Sequence, residues 1–107
     1  MWPKFRKAGG LAGLGLLACA SSAWAETIMI NVDKLAFNPP QVSAHVGDTI
    51  EWHNADFVAH TATTRKKAWD VMIPAKGVGR ITLMQSGDIE YYCRFHPNMV
   101  GRLSVTQ

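Results

Sequence analysis

Residues 87–99 read Gly87-Asp88-Ile89-Glu90-Tyr91-Tyr92-Cys93-Arg94-Phe95-His96-Pro97-Asn98-Met99. Up to Cys93 the segment alternates, with Ile89, Tyr91 and Cys93 on one side of an extended chain and Glu90 and Tyr92 on the other. A period of two is that of a β-strand with one buried face, so Cys93 points inward. After Cys93 the alternation stops, Pro97 with Asn98 implies a turn, and Leu103 and Val105 restart the apolar face. The reading is two neighbouring strands joined by one short loop that carries Cys93, His96 and Met99.

The same alternation recurs upstream. Ile28, Ile30 and Val32 share a face, as do Val42, Ala44 and Val46, then Ile50 and Trp52, then Ile81 and Leu83. Turn signals separate these runs: Asn38-Pro39-Pro40, Gly47-Asp48, Gly77-Val78-Gly79 and Ser86-Gly87-Asp88. Short alternating strands at regular spacing, without sustained helical periodicity, predict an all-β sandwich. Residues 65–79 are the least regular part, read as a loop, a turn of helix, or an edge strand interrupted by Pro74. The triplet Arg65-Lys66-Lys67 is read as a solvated turn.

The N-terminus differs in kind. Basic Lys4, Arg6 and Lys7 precede the apolar run GGLAGLGLLACA, which leads to Ala23-Trp24-Ala25. This pattern predicts a secretory signal peptide over residues 1–25, cleaved after Ala25, and a single domain over residues 26–107. The apolar run is short and glycine-rich for a membrane span of ~20 residues. Lipidation at Cys19 is a lesser alternative, because Leu17 fits that pattern poorly. No later segment is apolar enough to span a bilayer. Three of the eleven lysines and arginines fall in the leader, leaving eight against eight acidic residues. The basic balance of the whole chain therefore reports targeting and not a nucleic-acid partner.

Of the two cysteines, Cys19 leaves with the leader and Cys93 remains alone. In an oxidising compartment a lone cysteine is a buried inert thiol, half of an intermolecular disulfide, or a metal-bound thiolate. The neighbours favour the third. A thiolate, an imidazole and a thioether within seven residues form a soft donor set that suits copper, whereas zinc has little use for the thioether. A fourth donor must come from elsewhere. His45 and His53 alternate away from apolar faces and are read as surface residues. His60 follows the loop of residues 54–59, from which it can turn toward the site.

The segment Val46-Gly47-Asp48-Thr49-Ile50-Glu51-Trp52-His53-Asn54, the following His60, and Cys93-x-x-His96-x-x-Met99 resemble the cupredoxins, most closely the amicyanin, plastocyanin and pseudoazurin group. The likeness covers essentially all of residues 26–107, and the short spacing of the last motif is amicyanin-like. It implies a Greek-key β-sandwich holding one type 1 copper at one end, and the chain is expected to be a monomer. His60, Cys93 and His96 would form the trigonal set, with Met99 the long axial ligand, a donor arrangement that serves single-electron transfer. The leader implies periplasmic location, and the resemblance implies redox-protein partners, an amine dehydrogenase as donor and a c-type cytochrome as acceptor. His96 is the expected electron port, with Pro97, Met99 and Val100 as candidates for an apolar patch around it.

Two positions depart from the family pattern. Thr61 stands where an asparagine often clamps the two ligand loops, and its hydroxyl is expected to make a similar hydrogen bond. Arg94-Phe95 replaces a common Ser/Thr-Pro pair, and the Arg94 charge is expected to raise the potential or steer an acidic partner. Enzymatic readings are weak. Coupling to a trinuclear copper centre needs histidines flanking the cysteine, and a binuclear centre needs a second cysteine. The competing reading is a periplasmic copper chaperone or scavenger. Such proteins use clustered methionines or histidines, whereas Met29 and Met72 here are read as packing residues.

Overall fold

A computed structural model describes residues 24–107; the leader proposed for residues 1–25 lies almost wholly outside them. Nine strands follow in order: β1 (Thr27–Asp33), β2 (Ala36–Asn38), β3 (Gln41–His45), β4 (Thr49–Asn54), β5 (His60–Thr64), β6 (Asp70–Ile73), β7 (Val78–Thr82), β8 (Gly87–Cys93) and β9 (His96–Thr106). They form a four-stranded sheet, β2-β1-β4-β7, and a five-stranded sheet, β3-β9-β8-β5-β6. The chain passes repeatedly between sheets, so β1 lies parallel to β4 and β3 parallel to β9, while the other pairs are antiparallel. This is the expected Greek-key sandwich. Among the described residues no helix is long and apolar enough to cross a membrane.

Period-two burial builds the core. Ile30 and Val32 of β1, Val42 and Ala44 of β3, Ile50 and Trp52 of β4, and Leu103 and Val105 of β9 are buried between the sheets. Met29 and Met72, expected to pack, are instead about half exposed. Alternation explains this: each flanks an inward residue, Ile30 and Ile73, and so points out. The irregular stretch contains β6, an edge strand of the five-stranded sheet that ends at Ile73, immediately before Pro74. Proline lacks the N–H that would extend a ladder.

An aromatic cluster sits at the centre. Trp52 meets Tyr91 edge-on with centroids 5.4 Å apart, Phe37 meets Tyr91 at 4.8 Å, and Trp69 leans on both Trp52 and Tyr91. The Trp52 indole N–H donates to the Tyr91 hydroxyl at 3.2 Å, which gives two otherwise stranded polar atoms a partner. Burial pushes the Tyr91 phenol up to about 12, against the opposing pull of the Trp52 hydrogen bond. Tyr91 pairs in register with Gly101 on β9, and its ring lies where a side chain at 101 would project.

That close approach makes Gly101 a sensitive position. We expect Gly101→Ala to force the buried Tyr91 ring aside at a cost of about 1–3 kcal/mol. A thermal melt would register this as a fall of roughly 4–8 °C per kcal/mol. An unchanged midpoint would show that the ring has room to move.

Candidate metal centre

One end of the sandwich gathers the chemistry-bearing residues. Cys93 closes the inward face of β8 in phase with Tyr91, and Met99 occupies the same face of β9 in phase with Gly101, Leu103 and Val105. Both are buried. Between β8 and β9 the turn is shorter than the sequence suggests. Only Arg94 and Phe95 lie outside the strands, Cys93 pairs with His96 across a bulge, and His96 and Met99 belong to β9 and not to the loop. The bulge breaks the register beside Cys93, which is how β-structure commonly re-aims side chains at functional sites.

His60 arrives from the other side, as the first residue of β5. The loop before it is fixed by Asn54, whose side-chain amide donates to the carbonyls of Val58 (2.9 Å) and Pro74 (3.0 Å) while its oxygen accepts the Asp56 amide (2.8 Å). Asp56 then faces His60, with its carboxylate 2.8 Å from Nε2. The amides of Lys34 and Leu35, two residues held at positive φ, donate to the same carboxylate at 2.8 and 3.1 Å. Burial pushes the Asp56 carboxyl up, but the Leu35 amide, His60 and the Lys34 amide together pull it below the usual carboxylate range. An ionised carboxylate only accepts, so Nε2 of His60 carries the proton and the Nδ1 lone pair faces inward.

The two loops converge on Cys93. Its Sγ lies 3.7 Å from His60 Nδ1 and 3.6 Å from His96 Nδ1, and the Thr61 amide donates to it at 3.4 Å. One donor atom from each of His60, Cys93 and His96 falls within 4.8 Å of the others. The imidazoles meet edge to face with centroids 5.0 Å apart. Nitrogen and sulfur donors bound to one first-row metal at about 2.0 and 2.3 Å, with roughly 110–120° between them, are about 3.5–3.7 Å apart. The two sulfur–nitrogen separations fit, and the soft sulfur-imidazole character of the set fits copper.

The remaining histidines stand apart from this group. His45 is exposed and His53 binds Glu51 at 2.7 Å on the partly exposed face of β4, as their alternation suggests. The expected Thr61 clamp is present: its hydroxyl accepts the Arg94 amide at 2.9 Å and ties the start of β5 to the Cys93 turn. Arg94 itself is not a free charge, because its guanidinium pairs with Asp70 at 3.0 Å. The patch expectation needs correction. Met99 is buried because it continues the inward face of β9, and Val100 is half-buried, leaving only Pro97 exposed among the three. The large exposed apolar side chains on the same loops are Phe57, Val58 and Phe95, with Leu35 beside Asp56.

The cupredoxin-like domain family model matches residues 10–105. The chain belongs to the cupredoxin-like family. Amicyanin of Paracoccus versutus is 24% identical over 92 residues, covering 80% of this chain and 70% of that protein. Amicyanin of Paracoccus denitrificans is 27% identical over 85 residues, covering 73% and 64%. Among solved structures, a reduced amicyanin mutant superposes with a TM-score of 0.65 at 25% identity, over 74% of this chain and 81% of that one. An oxidised amicyanin mutant, at 24% identity over 73% of this chain and 80% of that one, gives 0.67 and shares the fold. Family and donor set together make this a blue copper electron-transfer protein with one type 1 copper as cofactor.

Asp56 was not singled out from sequence, yet it decides which nitrogen of His60 faces Cys93. The signal was there: Asn54-x-Asp56 is an Asx-turn pattern, and Asp56 stands four residues before His60. In the metal-free protein we expect nitrogen-15 NMR to find His60 as the Nε2–H tautomer. Asp56→Ala should abolish that preference, and a His60 tautomer indifferent to the substitution would refute the assignment.

Proposed function

We propose that the protein is a soluble periplasmic carrier of single electrons, exported by a leader that ends at Ala25. In this reading His60, Cys93 and His96 form the trigonal ligand set and Met99 is the weak fourth ligand. Copper supplies one-electron chemistry by alternating between Cu(II) and Cu(I). The observation that carries the proposal is the convergence of one thiol and two imidazoles to within 4.8 Å of one another, on residues held from behind by Asp56 and Thr61.

The chain's own residues give that site the properties a carrier needs. His60 and Cys93 are fully buried and Met99 nearly so, which keeps water from the donors, while His96 is half-buried and offers the route to the surface. Phe57 and Phe95 are exposed on the loops before His60 and His96, Pro97 is exposed at the start of β9, and all three suit a weak, transient apolar contact. Because Asp70 neutralises Arg94, steering by that arginine contributes little. By likeness to the amicyanins, the partners are an amine dehydrogenase as donor and a c-type cytochrome as acceptor, with the carrier itself a monomer and no enzyme.

A copper chaperone uses the same kinds of ligand but must release its metal readily, and burial of three of the four donors opposes release. The two functions separate experimentally. The copper-loaded protein should give a reversible one-electron wave and fast self-exchange, and should retain Cu(I) when mixed with a metal-free Cu(I) acceptor protein. Rapid loss of Cu(I) to the acceptor, with sluggish self-exchange, would favour the chaperone.

A further inference from the structure

Thr61 and Thr63 are both fully buried, although they alternate with Ala62 and so face away from the core side of β5. Buried hydroxyls need partners, and these find them in one another and in two charged residues. The Arg94 amide meets Thr61 Oγ1 at 2.9 Å, Thr61 Oγ1 meets Thr63 Oγ1 at 2.9 Å, and Thr63 Oγ1 meets Asp70 Oδ1 at 2.6 Å. The Arg94 guanidinium Nε returns to Asp70 Oδ1 at 3.0 Å. The path that leaves Arg94 by its backbone therefore re-enters it by its side chain.

Arg94 and Thr63 are the donors of this ring, and Thr61 and Asp70 the acceptors. The Asp70 carboxyl is held below its usual range, first by Thr63 and then by Arg94, so it is an acceptor only. Thr63 has one hydroxyl proton, directed at Asp70 over the shorter contact and shared with Thr61, whose oxygen also accepts from the Arg94 amide. Each bond in such a chain polarises the next, and a fully satisfied network is rigid.

We propose that Asp70 is a positioning residue for the copper site, acting through Thr63 and Thr61 to fix the Cys93 turn against β5 and so hold the Thr61 amide on the Cys93 sulfur. Asp70 touches none of the proposed ligands. It terminates the ring on the outer side of the five-stranded sheet, and Thr61 transmits the constraint because its hydroxyl holds Arg94 while its N–H donates to Cys93 Sγ at 3.4 Å. On reduction, electron density returns to the thiolate, so an amide donor to sulfur favours the reduced state. A closed ring therefore raises the potential.

The proposal rests on the copper-ligand reading only for its last step, and the test separates the two. In metal-free protein, Asp70→Ala and Thr63→Val should each speed hydrogen exchange of the Arg94 amide by about tenfold and shift the Thr61 amide proton upfield. Thr63→Ser, which keeps the hydroxyl, should restore both. In copper-loaded protein the same two variants should lower the potential and move the thiolate-to-copper band, with Thr63→Ser again near the parent. Asp70 is partly exposed, so its variant tests the idea even if Thr63→Val folds poorly. Unchanged Arg94 exchange in Asp70→Ala would overturn the ring. Faster exchange with an unmoved Thr61 proton, or with an unmoved potential and band, would reduce Asp70 to a structural staple and overturn its role at the site.

Discussion

The structure depends on holding three electron-rich atoms close together. His60 Nδ1, His96 Nδ1 and Cys93 Sγ turn toward one point at the end of the sandwich, where they are largely shielded from water. Without a cation, one weak thiol proton is all that can bridge these three atoms, so the surroundings must impose the arrangement. The second layer does this from two directions. Asp56 fixes the His60 ring from behind, using amides borrowed from the β1–β2 turn, and Thr61 fixes the sulfur and the Cys93 turn together. A site held this way changes little when charge is added or removed, which is what single-electron transfer requires and what a site built for metal release would avoid.

The burial gradient across the site follows from topology. His60 enters at the start of an interior strand, flanked by β8 and β6, and is wholly covered. His96 starts β9 directly after a two-residue turn, beyond the reach of β3, which pairs only with residues 102–106. The chain's connectivity therefore separates an insulated side from an accessible side of one cluster. Phe95 is exposed on the turn before His96 and Phe57 on the loop before His60, and cations near them are engaged: Arg94 with Asp70, and Lys76, which sits over the Phe57 ring at 4.0 Å, with the Ala55 carbonyl.

Much of this was legible in the sequence because β-structure writes itself at period two. The alternation that placed Ile89, Tyr91 and Cys93 on one face also predicts the burial of Met99, once β9 is extended back from Leu103 through Gly101. Reading residues 94–99 as a loop hid that continuity and led to Met99 being placed in a surface patch. Strand β5 left no alternating signature, because His-Thr-Ala-Thr-Thr is covered on both faces and its polar half is satisfied by Asp70 and Arg94. Strand β6 was ambiguous because Pro74 ends it after four residues. Asp56 left only a faint signal, an Asx-turn pattern four residues before His60, and the contacts of Asp70 left none, because its bond to Arg94 spans 24 residues and an isolated aspartate carries no pattern.

The account stands or falls on whether Cys93 is the anchor of a type 1 copper site. The most direct measurement is a Cu(II) titration of residues 26–107, followed by visible absorption and electron paramagnetic resonance, with Cys93→Ser beside it. We expect an intense blue thiolate-to-copper band that saturates at one equivalent, a narrow copper hyperfine splitting, and loss of both in Cys93→Ser. A pale spectrum with ordinary copper splitting, indifferent to the substitution, would mean that Cys93 does not bind the metal and would contradict the central claim.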